Sequence, residues 1–404
     1  MSLNDTFTST GAKFFAHQEV MTKLRNGQGQ PVVTHVMLTD ICQHTCAFCS
    51  VQARAGDSLA FDAVMAYLDI LMCHGLKAVI LSGGGNPILY KCKACGADFN
   101  DVVDAIHRRG LEIGLITNGM PLKQYKGAFD WEKDRSDTFP YSPKYPGWVG
   151  NRRSWLTVRP ETLDKLTWMR ISMAGLDHEE GEVYVPDIDP AKTTLGFSYV
   201  GHDIFYEPLE PHHGKVSRPL DLVVQHLDRI PDLTFEERIE ELTDDITGYV
   251  LNYAPKYVRL LPNCLEPELI PRRCEQLQSM AHRINLRASR DVVFVQNKPP
   301  KAPKACLLGV IHPVLNCDGY VFPCDSCVLN ESAGHKFGMS WRICHWSDIG
   351  KLYENKLPSS LIGDPSKQCP GCVFSRSNEI LVGVRDGTID PVPPLETPEH
   401  FNFV

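Results

Sequence analysis

The sequence predicts an α/β protein of about six parallel βα units followed by a smaller, cysteine-rich unit. Three observations carry this. Between residues 31 and 290, short apolar runs of strand length alternate with segments whose apolar residues recur at helical spacing. Strands that alternate with helices pair in parallel, because each parallel connection needs a crossover. Past residue 305 that rhythm gives way to dense cysteines and turn residues.

Residues 1–30 read as an N-terminal extension and 31–296 as the main unit. PVVTHVMLTD (31–40) is a β-type run, and FDAVMAYLDILMCHG (61–75) is a helix with Cys73 on its apolar face. KAVILSGGG (77–85) is a buried strand ending in glycines; FNDVVDAIHRRG (99–110) is a helix closed by Gly110. LEIGLITNG (111–119) is the next strand, PETLDKLT (160–167) a helix, and WMRISMAG (168–175) and TTLGFSYV (193–200) are strands. FEERIEELTDDITGYVLNYA (235–254) is helical and KYVRLLPN (256–263) a strand. Two insertions break the order, one at about 120–155, aromatic and basic, and one at about 201–234. Irregular stretches of this length often serve as lids or binding loops. NKPPKAPK (297–304) is an extended linker, and 305–404 forms a separate small domain.

The chain has 404 residues, 43% hydrophobic and 22% charged, with a formal net charge of −8. That balance argues against general coating of nucleic acid. It contains no run of about 18 apolar residues, the length a membrane span needs. The first 30 residues lack an apolar signal core, which points to the cytoplasm. Fifteen cysteines in such a compartment suggest metal rather than a disulfide framework.

The cysteines fall into two groups. In TDICQHTCAFCSV (39–51), Cys42, Cys46 and Cys49 follow the first strand at spacings of three and two intervening residues. Three thiolates are one too few for a structural zinc site and one too many for a disulfide. They suit a [4Fe–4S] cluster whose fourth iron is left to a small molecule. The run Cys42-x3-Cys46-x2-Cys49 after a first strand, with Phe48 before the last cysteine, resembles the radical SAM superfamily over residues 31–290.

The resemblance implies a partial (β/α)6 barrel of the TIM-like kind and S-adenosylmethionine as the missing ligand of the cluster. It also implies an electron donor such as flavodoxin or ferredoxin. The turn Gly83-Gly84-Gly85-Asn86 after the second strand matches the family's glycine-rich turn, which meets the methionine amino group. Asn86 stands where the family often has glutamate. Asn118, Ser172, Ser198 and Asn263, at or near later strand ends, match places where the family's strands face the cofactor.

In the second group, Cys306, Cys324, Cys369 and Cys372 resemble the four ligands of the half-size "twitch" form of the auxiliary-cluster (SPASM) domain. There a β-hairpin supplies two cysteines, and a later turn and helix the other two. This implies a second, closed [4Fe–4S] cluster; Cys327 is the substitute ligand, and a four-cysteine zinc site is the alternative. Cys317 and Cys344 are spare. Cys92 and Cys95 form a knuckle-like pair without a partner pair, read as turn or surface thiols.

The chain as a whole also resembles radical SAM proteins encoded by bacteriophages, some of which rearrange amino-acid-decorated thymidines in phage DNA. Tyr125, Trp131, Tyr141, Tyr145 and Trp148 interleave with lysines in the first insertion, which suits stacking of bases beside cations. Arg108, Arg109, Arg152, Arg153, Arg272, Arg273, Lys298, Lys301 and Lys304 offer a basic track, and His212 and His213 a polar loop. The expectation is therefore an isomerase of modified thymidine. The alternatives are a peptide maturase, a small-molecule dehydrogenase, or a non-catalytic iron–sulfur or zinc protein.

Overall fold

The structure is a computed structural model. It describes the chain except residues 1, 9–10, 43, 45, 47, 50–54, 120–121, 123–157, 178–182, 203–233, 264–265, 297–302, 326–340, 370–371 and 373. Most of both insertions, most of the linker, Cys327, and His212 and His213 therefore lie outside the described residues.

Seven strands pair side by side in chain order, all parallel: β1 (Val33–Val36), β2 (Ala78–Leu81), β3 (Glu112–Thr117), β4 (Trp168–Ser172), β5 (Thr194–Gly201), β6 (Tyr257–Pro262) and β7 (Val293–Val295). The first six are the expected ones; β7 is an addition. WMRISMAG is a strand only as far as Ser172. Met173–Asp177 is a 3-10 turn that carries the chain off the sheet. On the far side of β1, β8 (Val314–Leu315) pairs in parallel, and β9 (Tyr320–Phe322) and β10 (Cys344–His345) follow antiparallel. The hydrogen-bonded sheet thus runs on from the main unit into the cysteine-rich region, although the linker suggests a break.

Alternation along the strands sorts the residues into two faces. Val79, Leu81, Ile113, Leu115, Met169, Ile171, Phe197, Val258 and Leu260 pack under the helices α4 (Phe61–Cys73), α5 (Phe99–Arg108), α6 (Pro160–Leu163), α7 (Phe235–Tyr253) and α8 (Ile270–Ala288). Capping boxes Asp98/Asp101 and Thr234/Glu237 fix the starts of α5 and α7. Cys73, expected in the core, is exposed. It ends α4 on the face it shares with the exposed Asp62 and Asp69, opposite the buried Val64, Leu68 and Leu71.

The opposite face carries His35, Ile80, Trp168, Arg170, Ser172, Ser198, Tyr257 and Arg259, and it is concave. Among the described residues, the end strands β10 and β7 do not pair with each other, so the twisted, mostly parallel sheet with its flanking helices makes an incomplete barrel.

The amino end of that barrel is plugged. α1 (Leu3–Phe7), α2 (Gly11–Phe14) and α3 (Gln18–Arg25), read as an extension from sequence, belong to the core. Phe14, Val20, Met21 and Leu24 join Val33, Ala78, Trp168, Phe403 and Val404 in one buried cluster. Phe7 stacks on Tyr257 at 4.3 Å between ring centroids. The Trp168 and Tyr257 rings fill the space over Gly114 and Gly196, where any Cβ would lie 2.2 Å from a ring atom. With this end packed, access is left to the carboxyl ends of the strands, where parallel α/β sheets bind their ligands.

Candidate functional site at the carboxyl ends of the strands

The first cysteine group leaves the sheet directly after β1, and its loop is clasped at the base. The Asp40 carboxylate accepts the amides of Ala55 and Asp57, each at 2.7 Å. Thr39 donates its hydroxyl to the Asp57 carbonyl at 2.7 Å and pairs with Ser58. Cys42, Cys46 and Cys49 are half-buried on the loop so formed, with the Cys49 amide on the Cys46 carbonyl at 2.9 Å.

The glycine turn docks edge-on against this loop. The Gly85 amide donates to the Thr39 carbonyl and the Asn86 amide to the Ile41 carbonyl, both at 2.8 Å. These bonds prolong the β1–β2 pairing into the cysteine loop. The approach requires missing side chains: a Cβ on Gly85 would lie 2.0 Å from the Ile41 carbonyl oxygen. Gly84, at φ +66°, would meet the Thr39 oxygen at 2.8 Å.

Asn86 is tied to its surroundings through its side chain. Its carbonyl oxygen accepts the Ile88 amide at 3.2 Å and the Thr117 hydroxyl at 3.0 Å; its amide donates to Asn118 at 2.6 Å. Asn118 in turn donates to the Cys42 sulfur at 3.7 Å. A chain of contacts thus runs from the glycine turn through the end of β3 to a thiol of the cysteine loop.

Ser172 and Ser198 are register partners on β4 and β5, and Ser198 pairs with Arg259 on β6, so all three lie on the concave face. Asn263, just past β6, is buried and donates to Glu266 at 2.9 Å. Phe48 does not stand alone: its ring lies 4.8 Å from the His202 ring just after β5.

His202 belongs to a buried group that the sequence did not disclose. Asp177 accepts from His202 at 3.3 Å, from the Tyr199 hydroxyl at 2.8 Å and from Arg238 at 2.9 Å. Burial, and after it the Asp177 carboxylate, hold the Tyr199 hydroxyl well above its ordinary pKa, so it remains a donor. The only local sign was an isolated acid and histidine at two strand ends.

Deeper on the concave face lies a layer of cations. The Arg259 guanidinium donates to Gln296 at 2.8 Å; its burial, and then the Arg170 charge, push its pKa down to about 9. His35 is lowered by burial; its Nε2 meets the Ser82 carbonyl at 2.9 Å.

The second cysteine group converges. Cys324, Cys369 and Cys372 all raise the Cys306 thiol, which burial already pushes well above its usual range. Burial and then Cys324 push Cys369 and Cys372 each up to about 12. These sulfurs disfavour one another's ionisation, and Cys324 and Cys369 pack against one small apolar cluster; an all-thiolate donor set suits an iron–sulfur cluster, with metal displacing the protons. Among the described residues, no three His, Cys, Asp or Glu side chains stand close enough to hold a single metal ion.

Cys306 precedes the short helix α9 (Leu308–Ile311) rather than sitting on the β8–β9 hairpin, which supplies Cys324 alone. Asn378 ties the pocket together. Its carbonyl oxygen accepts the amides of Leu307 and Leu308 at 2.7 and 3.0 Å, and its side chain bonds Cys372. Cys317 lies elsewhere, facing Asp40 and Asp57 at the clasp of the first loop.

The basic track is not assembled by the described residues. Arg109 is paired with Asp69 at 2.7 Å, Arg272 with Glu236, and Arg273 lies over the Phe235 ring at 4.2 Å. No helix among the described residues is long and apolar enough to cross a membrane.

No protein-family model matches the chain, and neither does any curated protein. Among solved structures, the chain is similar to SuiB of Streptococcus suis bound to the precursor peptide SuiA. The TM-score is 0.42 and the identity 11%, over 76% of this chain and 63% of that one. Against anSMEcpe with bound AdoMet and the Cp18Cys peptide, the TM-score is 0.46 and the identity 12%, over 89% and 100%. Against BtrN in complex with AdoMet and 2-DOIA, the values are 0.36 and 11%, over 91% and 92%. The chain spans just under two thirds of the peptide-bound SuiB chain. Scores below 0.5 leave the functional argument to the site itself.

Proposed function

We propose that the chain is a radical SAM enzyme, with Cys42, Cys46 and Cys49 holding a [4Fe–4S] cluster and Gly83, Gly84, Gly85, Asn86, Asn118, Ser172, Ser198 and Asn263 placing S-adenosylmethionine beside it. The observation that carries this reading is the docking of the glycine turn on the cysteine loop, with the Asn118 amide on the Cys42 sulfur. Such a cluster with its bound nucleotide supplies a 5′-deoxyadenosyl radical that takes hydrogen from a substrate carbon. The chain's own residues do the rest. The Asn118 donor stabilises negative charge on Cys42, and the bare backbone of Gly83–Gly85 admits a ligand amino group at close range. The plugged amino end keeps bulk water from the barrel interior. Cys306, Cys324, Cys369 and Cys372 would hold a second cluster closed to substrate, with an electron-transfer or structural role.

The test is anaerobic reconstitution with iron counting, followed by reduction in the presence of S-adenosylmethionine. 5′-Deoxyadenosine is expected from the wild type and its loss on Cys46→Ala; undiminished product from that variant overturns the assignment.

In its finer form the substrate is an amino-acid-modified thymidine of phage DNA. This rests on the aromatic and basic sequence of the first insertion, which lies outside the described residues. Incubation with hypermodified phage DNA should then change a digested nucleoside. An unchanged nucleoside profile, with turnover of a peptide or free small molecule instead, removes the DNA reading and leaves the radical chemistry standing.

A further inference from the structure

Cys92 and Cys95 lie outside both cysteine groups, between β2 and α5. The Cys92 amide donates to the Ala97 carbonyl at 2.8 Å and the Gly96 amide to the Cys92 carbonyl at 3.0 Å; Lys91 pairs with Asp98. These bonds fold residues 91–98 into a tight hairpin, with Gly96 at φ +76°. Cys92 is 3% exposed, whereas Cys95 is open to solvent.

The surroundings of the buried sulfur are those of a thiolate. It accepts the Phe61 amide at 3.4 Å, and Phe61 opens the 13-residue helix α4. It also accepts the backbone amides of Cys95 and Ala94 and the thiol of Cys95. Several N–H donors and a helix N-terminus favour negative charge on sulfur. Burial alone would push the Cys92 thiol up; the donors outweigh it and bring it down to about 7. Cys95 moves the other way. The Ala97 amide lowers it, but the bond to the Cys92 sulfur prevails and its thiol is raised. The Cys95 thiol thus donates to the Cys92 sulfur.

We propose that Cys92 and Cys95 form a reversible dithiol–disulfide couple that exchanges with external disulfides of the glutathione class. The exposed Cys95 sulfur attacks the external disulfide as its proton passes to the Cys92 thiolate, which acts as general base. A new S–S bond forms to one glutathionyl group while the other leaves as thiolate. Cys92 then gives its proton to water and attacks the Cys95 sulfur, expelling the second glutathione thiolate. Two protein thiols are oxidised by two electrons and one external disulfide is reduced to two thiols. The order of attack follows from exposure, because only Cys95 can be reached from solvent.

A metal knuckle would use the same two sulfurs, but it needs further ligands. Bound zinc is therefore an outcome of the test below. The couple has a structural outlet. The hairpin contacts the segment that clasps the first cysteine loop, through Phe61 and through the Lys93 ammonium on the Gly56 carbonyl at 3.3 Å. Oxidation would remove the negative charge from the start of α4. This inference does not depend on the radical SAM reading.

Full-length protein purified without oxygen would be equilibrated with mixtures of oxidised and reduced glutathione, alkylated, digested and weighed. The peptide holding both cysteines should pass from doubly alkylated to internally linked, two hydrogens below the unalkylated dithiol mass, and return with a dithiol reductant. Cys92→Ser should accumulate a glutathione mixed disulfide at Cys95, whereas Cys95→Ser should form little at the buried Cys92. A wild-type peptide that stays doubly alkylated throughout overturns the proposal, whatever the variants do. So does a stoichiometric zinc ion that shields both thiols until a chelator removes it.

Discussion

Gly85 shows how much a single missing side chain decides here. Its amide is bonded to Thr39, and the space for its Cβ is held by the Ile41 carbonyl, next to Cys42. In Gly85→Ala the turn or the loop must move, and overpacking of this kind costs about 1–3 kcal/mol. The displaced group is backbone that leads into a candidate ligand. The variant should therefore lose iron from the first site while keeping the sulfurs of the second. Iron counting after reconstitution, beside a Gly96→Ala control where a Cβ meets nothing within 4 Å, separates a local from a global effect. Gly96 has positive φ, so that control carries its own strain, and far-ultraviolet circular dichroism on both variants sets the baseline. Full iron retention in Gly85→Ala would show that the turn and loop do not depend on each other.

At the scale of the element, the cysteine loop is held by a clasp rather than by a core. Asp40 accepts two backbone amides at 2.7 Å, and both come from the returning arm of the loop. Asp40→Asn keeps the shape but replaces one acceptor by a donor facing an amide. Leaving such a group unsatisfied costs about 1–3 kcal/mol. Amide hydrogen exchange at residues 55–59 should accelerate while β2 and β3 keep their protection. Unchanged exchange there would mean that the Thr39–Ser58 pairing suffices by itself. The second cysteine group relies on a comparable device. Asn378 holds the chain after Cys306 and reaches Cys372, so Asn378→Ala should weaken metal retention at the C-terminal site more than at the first. Equal loss at both sites would assign Asn378 to the general fold.

The whole molecule adds a pH dependence that no local motif foretells. Lys13 is 1% exposed at the plugged end of the barrel, its Nζ donating to the Phe403 carbonyl at 3.1 Å. Burial, and then the Arg170 charge, push its pKa from 10.5 down to about 7. The unfolded chain keeps that proton up to about 10.5, whereas the folded chain releases it near 7. Between these limits the unfolded state binds more protons, so stability rises with pH, by at most about 1.4 kcal/mol per unit. Below the folded pKa both states are charged and the contribution is flat. Denaturant unfolding at about pH 7 and about pH 9 should show a rise in the wild type that Lys13→Met lacks. Equal slopes in the two proteins would place the lysine charge elsewhere.

The sequence by itself determined what depends on near neighbours. The six-strand order, the glycine turn and the spacing of Cys42, Cys46 and Cys49 are properties of short segments, where period and turn chemistry act within a few residues. The sequence singles out Asn86, but its bridge to Asn118 joins two strand ends that only β2–β3 pairing brings together. The Asp177 group with Tyr199, His202 and Arg238, the arginines spent on Asp69 and Glu236, and the plugging of the barrel by both ends of the chain were left to the tertiary structure. Each joins residues far apart in the chain, and a buried charge or ring finds its partner only once the sheet has curled. Cys73 shows the converse: an apolar residue type beside a core stripe, it lies on the face of α4 that Asp62 and Asp69 hold toward solvent.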